Sequence, residues 1–164
     1  MSDTLKEKIL KAQRAGDIAA LYVLEAQAQE TFEEQELIAY YANILDLALE
    51  NLTAALESAR RMEITEVQDF ATLRALYEYA MEHYSAGKKT DASALFEILS
   101  GLSSDETFSN AMKMHQAGAD SGMSIEAFIE KVADVDATMT VGNFYISDFK
   151  KDARKTLDDE GKRQ

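Results

Sequence analysis

The chain has 164 residues, of which 46% are hydrophobic and 29% charged, with a net charge of −13. It is long enough to bury a core without covalent staples and too apolar to be a disordered chain. The absence of cysteine excludes disulfides, thiolate metal sites and cysteine nucleophiles, and the acidic balance argues against nucleic acid, which rewards clustered Lys and Arg.

Proline is absent, and the seven glycines fall between helix-like stretches or near the end. Inside a helix proline costs about 3 kcal/mol and glycine about 1 kcal/mol relative to alanine. This usage predicts an all-α protein, read as one helical domain over 1–157 with a frayed tail at 158–164. No apolar run approaches the roughly 20 residues of a membrane span. The N-terminal MSDTLKEKILKAQRAGD is amphipathic and lacks the continuous apolar core of a secretory signal, so a cytoplasmic protein is expected.

A first helix is predicted over 3–15, with Leu5, Ile9 and Leu10 on one face and Gly16 ending it. Asp17 can cap a second, IAALYVLEAQAQ, which stops near Glu30. TFEE (31–34) has the form of a capping box, Thr31 accepting from a free backbone N–H while Glu34 reaches back. The longest segment follows, from 33 to 62, with apolar residues at Leu37, Tyr41, Ile44, Ala48, Leu52, Ala55, Ala59 and Met62. Tyr40, Leu47 and Leu56 widen that stripe, which predicts more than one neighbour. Its width and alanine content disfavour a coiled-coil seam.

TEVQ (65–68) offers a second capping box before a helix that ends at Gly87. Thr90 or Asp91 can cap the next, through Leu99. SSDE (103–106) opens another that closes near Gly118, and Ser124 caps IEAFIEKVAD. ATMTVGNFYISDF (137–149) is β-branched and aromatic around a Gly-Asn pair, which fits a small hairpin or an irregular loop packed on the helices. Ser147 and Asp148 can cap a last, polar helix.

Signals for chemistry are few. His83 and His115 stand on separate predicted helices with no second histidine at i+4 and no metal-ligand pattern beside them. The phosphate-binding patterns G-x-x-x-x-G-K-[ST] and G-x-G-x-x-G, the nucleophile elbow G-x-S-x-G and the Glu-x-x-His of a di-metal bundle do not occur. Acidic pairs such as Glu33–Glu34 and Asp158–Asp159 read as solvated faces or helix ends in a chain with 30 carboxylates. A non-catalytic protein without metal or cofactor is expected.

The remaining signal is periodic. In 73–106, with Gly87 as the turn glycine, Leu76 and Tyr79 take the large positions of a first helix and Ala80 the small crossing position. Ala92 and Phe96 take the small and aromatic positions of the return helix. This unit resembles a tetratricopeptide repeat, with Ser104 and Leu99 in place of the usual proline and alanine. QRAGDIAALYVLEA (13–26) and AMKMHQAGADSGMSIEAFIEKV (111–132) resemble degenerate units. The architecture expected is a tetratricopeptide-like stack of antiparallel hairpins with one long central helix: N-terminal helices over 1–62, the unit over 64–106 and C-terminal helices over 107–157.

With its lead-in, ITEVQDFATLRALYEYAMEHYSAGKKTDASALFEIL (64–99) resembles the opening of the first repeat in the class II chaperones of bacterial type III secretion. The shared pattern is LY-x-x-A-x-x-x-Y-x-x-G-K followed by an alanine and a phenylalanine on the return helix. The resemblance covers under a quarter of the chain. It implies a small, acidic, often dimeric cytoplasmic chaperone that shields an apolar, extended segment of a secreted partner in a concave groove. Carried onto this sequence, the partner-binding positions are Arg74, Tyr77, Met81 and Tyr84, three or four apart and so on one helix face. The same stripe also fits a core face covered by the long helix, and both readings stand at this point. A self-associating helical scaffold is the alternative function.

Overall fold

Several helix ends fall where the sequence supplies a polar acceptor or a glycine. The computed structural model describes residues 4–162, and among them there are ten helices and no sheet. In chain order they are α1 (Leu5–Ala15), α2 (Ile18–Val23), α3 (Glu25–Thr31), α4 (Glu34–Glu57), α5 (Val67–Ser85), α6 (Lys89–Leu102), α7 (Glu106–Asp120), α8 (Ile125–Lys131), α9 (Val135–Val141) and α10 (Ala153–Lys162). The all-α expectation holds. Asp17 caps α2 by accepting from Ala20 N–H at 3.0 Å, Asp105 caps α7 through Phe108 N–H at 2.9 Å, and Ser124 caps α8 through Ala127 N–H at 3.1 Å. Each satisfies a backbone donor that the first helical turn leaves free.

Contacts divide the chain into two compact units, one ending at Ala75 and the other beginning at Leu76, where the sequence reading has one domain over 1–157. The division lies inside α5. In the first unit α2 packs against α1 and α4. Ile9, Ile18, Leu21, Ile44 and Ala48 are buried there. Tyr40, also buried, donates its hydroxyl to the Leu21 carbonyl, and burial pushes its pKa up to about 12. The helix expected to start at Ile18 and stop near Glu30 is broken at Leu24 into α2 and α3.

Two capping boxes shift from their expected places. Thr31 closes α3, and α4 starts two residues later with Glu33 N–H donating to Glu36 Oε1 at 3.4 Å. Gln68 does not reach back along its own helix. It donates to Asp17 Oδ1 at 2.6 Å and accepts from Ala19 N–H at 3.4 Å, tying the start of α5 to the start of α2.

The long helix is 24 residues, shorter than the 33–62 of the sequence reading. It ends in a left-handed residue, Ala59 at φ 55°, with Arg60 N–H bonded to Ala55 O at 2.9 Å and Ala59 N–H to Leu56 O at 3.3 Å. This is a Schellman closure built on alanine where glycine is usual. It directs the Arg60 guanidinium into a bidentate pair with Asp69 on α5, at 2.9 and 3.0 Å.

In the second unit α6 packs extensively on α7. Gly87 takes the left-handed turn at φ 80° before α6, and Leu76, Ala80, Ala92 and Phe96 are buried while Tyr79 is half-buried. Gly118 lets α7 approach α8, because a Cβ there would stand 2.6 Å from Phe128 Cδ1.

The segment 137–149 is no hairpin. Its first half continues α9, which closes on Gly142 at φ 83°, and the rest is irregular with one bridge, Ala133 to Phe149. Thr138 holds that loop, its hydroxyl accepting from Ser147 N–H at 3.2 Å and Asp148 N–H at 3.1 Å. Those residues therefore serve the loop and do not cap the last helix, which starts at Ala153. Residues 158–162, expected to fray, lie within α10, and 163–164 lie outside the described residues.

Candidate protein-binding groove

Of the four predicted partner-binding residues, two are core. Tyr77 is 5% exposed and Tyr84 1%. The reason lies in the rings that surround them: Tyr77 lies against Phe96, His115, Phe144 and Tyr145, and Tyr84 against Phe96 and Phe128.

Their hydroxyls complete internal hydrogen bonds. His115, fully buried, faces the Ala111 carbonyl with Nδ1 at 2.7 Å. A carbonyl only accepts, so Nδ1 carries the proton and Nε2 accepts from the Tyr77 hydroxyl at 2.9 Å. The Tyr77 oxygen in turn accepts from Ile146 N–H at 3.1 Å. Every polar atom in the chain Ile146–Tyr77–His115–Ala111 is thus satisfied without a free ligand position, as a buried polar group requires. Burial pushes the His115 pKa down to about 4, against the opposing Ala111 bond, and raises that of Tyr77. Tyr84 donates to the Met123 carbonyl at 2.8 Å, and burial raises its pKa too.

Met81 is half-buried on α5. Arg74, the fourth residue, belongs to the first unit and lies at a groove of ≈ 290 Å³ there. Ala19 and Tyr22 of α2, Ile64 and Thr65 of the turn before α5, and Val67, Phe70 and Ala71 of α5 complete its wall. The Arg74 guanidinium stacks 3.9 Å from the centre of the Tyr22 ring and pairs with Glu25 Oε1 at 3.3 Å. Glu25 Oε2 accepts from Tyr41 Oη at 2.7 Å, and Tyr41 Oη accepts from Gln29 Nε2 at 2.8 Å.

These contacts hold the guanidinium as a flat wall, its charge balanced by Glu25, above an apolar floor. Val67, 64% exposed, and Phe70, 42% exposed, form the rim. The resemblance put Arg74 on one helix face with Tyr77, Met81 and Tyr84, and sequence reasoning missed Tyr22, Val67 and Phe70 beside it. A signal existed: Val67, Phe70 and Arg74 recur at i, i+3 and i+7 on one face of α5.

What this site can do is bury apolar groups. Its lining is mostly apolar, with the hydroxyls of Tyr22 and Thr65 and one cation, Arg74, paired with Glu25. Among the described residues no group of three or more His, Asp or Glu is placed to hold a metal ion. No helix among them is long and apolar enough to cross a membrane. No protein-family model, no curated protein and no solved structure matches the chain.

Proposed function

We propose that this chain is a non-catalytic protein-binding module of the chaperone or adaptor kind. It shields an extended apolar segment of a partner protein in the groove beside Arg74. The observation that carries the reading is the exposed apolar rim, Val67 and Phe70, over a floor already shaped by the Tyr22–Arg74 stack. Leaving two large apolar side chains at a concave site costs apolar hydration, which a partner's side chains remove on binding.

Charge gives the partner a second property. The chain carries −13, and exposed Glu66 stands beside Thr65 and Val67 of the groove, so basic residues flanking the apolar segment favour encounter. A secretion substrate held in the cytoplasm before export is the class that the chaperone resemblance points to. The recognition surface in this proposal is the groove of the first unit, in place of the Tyr77–Tyr84 stripe.

Calorimetric titration with a peptide of about ten residues, apolar at alternate positions, interrupted by proline to exclude helix and ended by lysines, tests the reading. Saturable binding that Val67→Asp weakens by about tenfold or more, a loss of about 1.4 kcal/mol, is expected, with the circular dichroism of the variant unchanged. Equal binding by the variant overturns the assignment.

A further inference from the structure

The loop after α9 is held in two different ways. Its far half is tied locally. Thr138 Oγ1 accepts from Ser147 and Asp148 N–H, Asp134 N–H donates to Asp148 O at 2.8 Å, and Lys150 N–H donates to Val132 O at 2.9 Å. Its near half, residues 143–146, forms a tip over the aromatic cluster of the second unit. Phe144 and Tyr145 lay their rings against Tyr77 and Phe108, and Ile146 N–H donates to the Tyr77 hydroxyl. That bond ends on the oxygen that also serves His115.

The Tyr77 oxygen has a single hydrogen. With His115 neutral this hydrogen goes to Nε2, and the oxygen accepts from Ile146. The Ala111 carbonyl keeps a hydrogen on Nδ1, so a second proton enters the imidazole at Nε2. Nε2 is then a donor. Tyr77 Oη faces two N–H groups, and its own hydrogen has lost its acceptor, which is unfavourable in a buried site.

The surroundings do nothing to soften that change. Tyr77 of α5 meets the imidazole, and the other rings against it are the uncharged Phe96 of α6, Phe128 of α8 and Phe149 of the far half of the loop. No carboxylate is among these described contacts to balance an imidazolium. Tyr145 lies beside Tyr77, and the charges of Asp105 and Asp148 act on its hydroxyl. Water would relieve both Tyr77 and His115. Those two are fixed in α5 and α7, whereas 143–146 lie outside any helix, so the tip is the element that yields.

We propose that residues 143–146 are an acid-released latch. A proton taken up at His115 Nε2 reverses the bond to Tyr77, Ile146 loses its acceptor, and the tip leaves the cluster ahead of the rest of the second unit. Burial sets the range over which this works. In the closed cluster the His115 pKa is pushed down to about 4, while a solvated imidazole binds its proton at about 6.5. An opening that solvates the ring therefore gains up to about 20-fold between pH 7 and pH 5. The latch shares no residue with the groove beside Arg74, so the two readings stand or fall separately.

Amide hydrogen exchange followed by NMR tests this. It is measured at pH 7 and pH 5, each over a series of low urea concentrations, and corrected for the intrinsic pH dependence of exchange. Ile146 is expected to exchange through an opening that urea hardly affects and that becomes about tenfold more populated at pH 5. Phe96, in the middle of α6, is expected to exchange by urea-sensitive unfolding. Tyr77→Phe, which removes the acceptor, should raise the Ile146 opening at pH 7. His115→Phe should abolish its pH response. His115→Gln, which can accept from Tyr77 but does not titrate, gives the same reading where the phenylalanine variant does not fold. An Ile146 amide that follows Phe96 in urea overturns the proposal, because the tip then opens only with the whole unit. So does an opening equal at the two pH values, or a pH response that survives either His115 variant.

Discussion

His115 shows how far one residue's meaning depends on its surroundings. In the sequence it is a lone histidine on an amphipathic stretch, and in the fold it is the neutral centre of an aromatic cluster with both nitrogens used. Its pKa is pushed down to about 4, while an unfolded chain binds that proton at about 6.5. The unfolded state therefore takes up the proton first, and stability falls as pH drops from 6.5 towards 4. Between pH 7 and 5 the loss from this residue is about 2 kcal/mol. Urea midpoints measured across that range should fall steeply for the native protein. The slope should flatten in His115→Phe, which does not titrate, although that variant starts lower because the Tyr77 hydroxyl and the Ala111 carbonyl lose their partner. A parallel slope in both proteins would show that His115 is not buried neutral.

At the scale of elements, the end of α4 carries a cost that the sequence does not announce. Ala59 holds a left-handed conformation that disfavours a Cβ by roughly 1–2 kcal/mol, so that Arg60 can reach Asp69. The Arg60 hydrogen bonds hold the Asp69 carboxyl below the usual carboxylate range, with the Glu63 N–H assisting at 2.9 Å. Ala59→Gly should raise the unfolding free energy by about 1 kcal/mol. Arg60→Ala should lower it by about 1–2 kcal/mol, because the half-satisfied Asp69 stays buried. Chemical denaturation of both variants checks the pair, and a destabilising Ala59→Gly would rule out the strained closure. The breaks at Gly16 and Gly87 and the caps Asp17 and Ser124 were legible because a polar acceptor or a glycine marks each one. The end of α4 was not, since nothing in SARR separates a left-handed alanine from a helical one. Thr138 was not either, because the loop it ties lies nine and ten residues away.

At the scale of the molecule, the aromatic richness of LYEYAMEHYS was legible and its destination was not. Spacing puts Tyr77 and Tyr84 on one face of α5, but burial depends on Phe96, Phe128, Phe144 and Tyr145, which reach that face from distant parts of the chain. In the proposed function the binding role falls instead to residues of the first unit, Tyr22, Val67, Phe70 and Arg74, around a groove whose walls meet only after α2 folds against α5. Because the net charge is −13, association with a lysine-flanked segment should weaken as salt screens beyond about 10 Å at 0.1 M. The chain has no tryptophan, so Phe70→Trp places a single fluorescent reporter at the rim of the groove. Titration with the proline-interrupted, lysine-ended apolar peptide should shift its emission to the blue and saturate below about 1 mM. Emission that stays constant to that concentration, or that shifts equally with Val67→Asp added, would contradict the proposal that this groove is where the protein holds its partner.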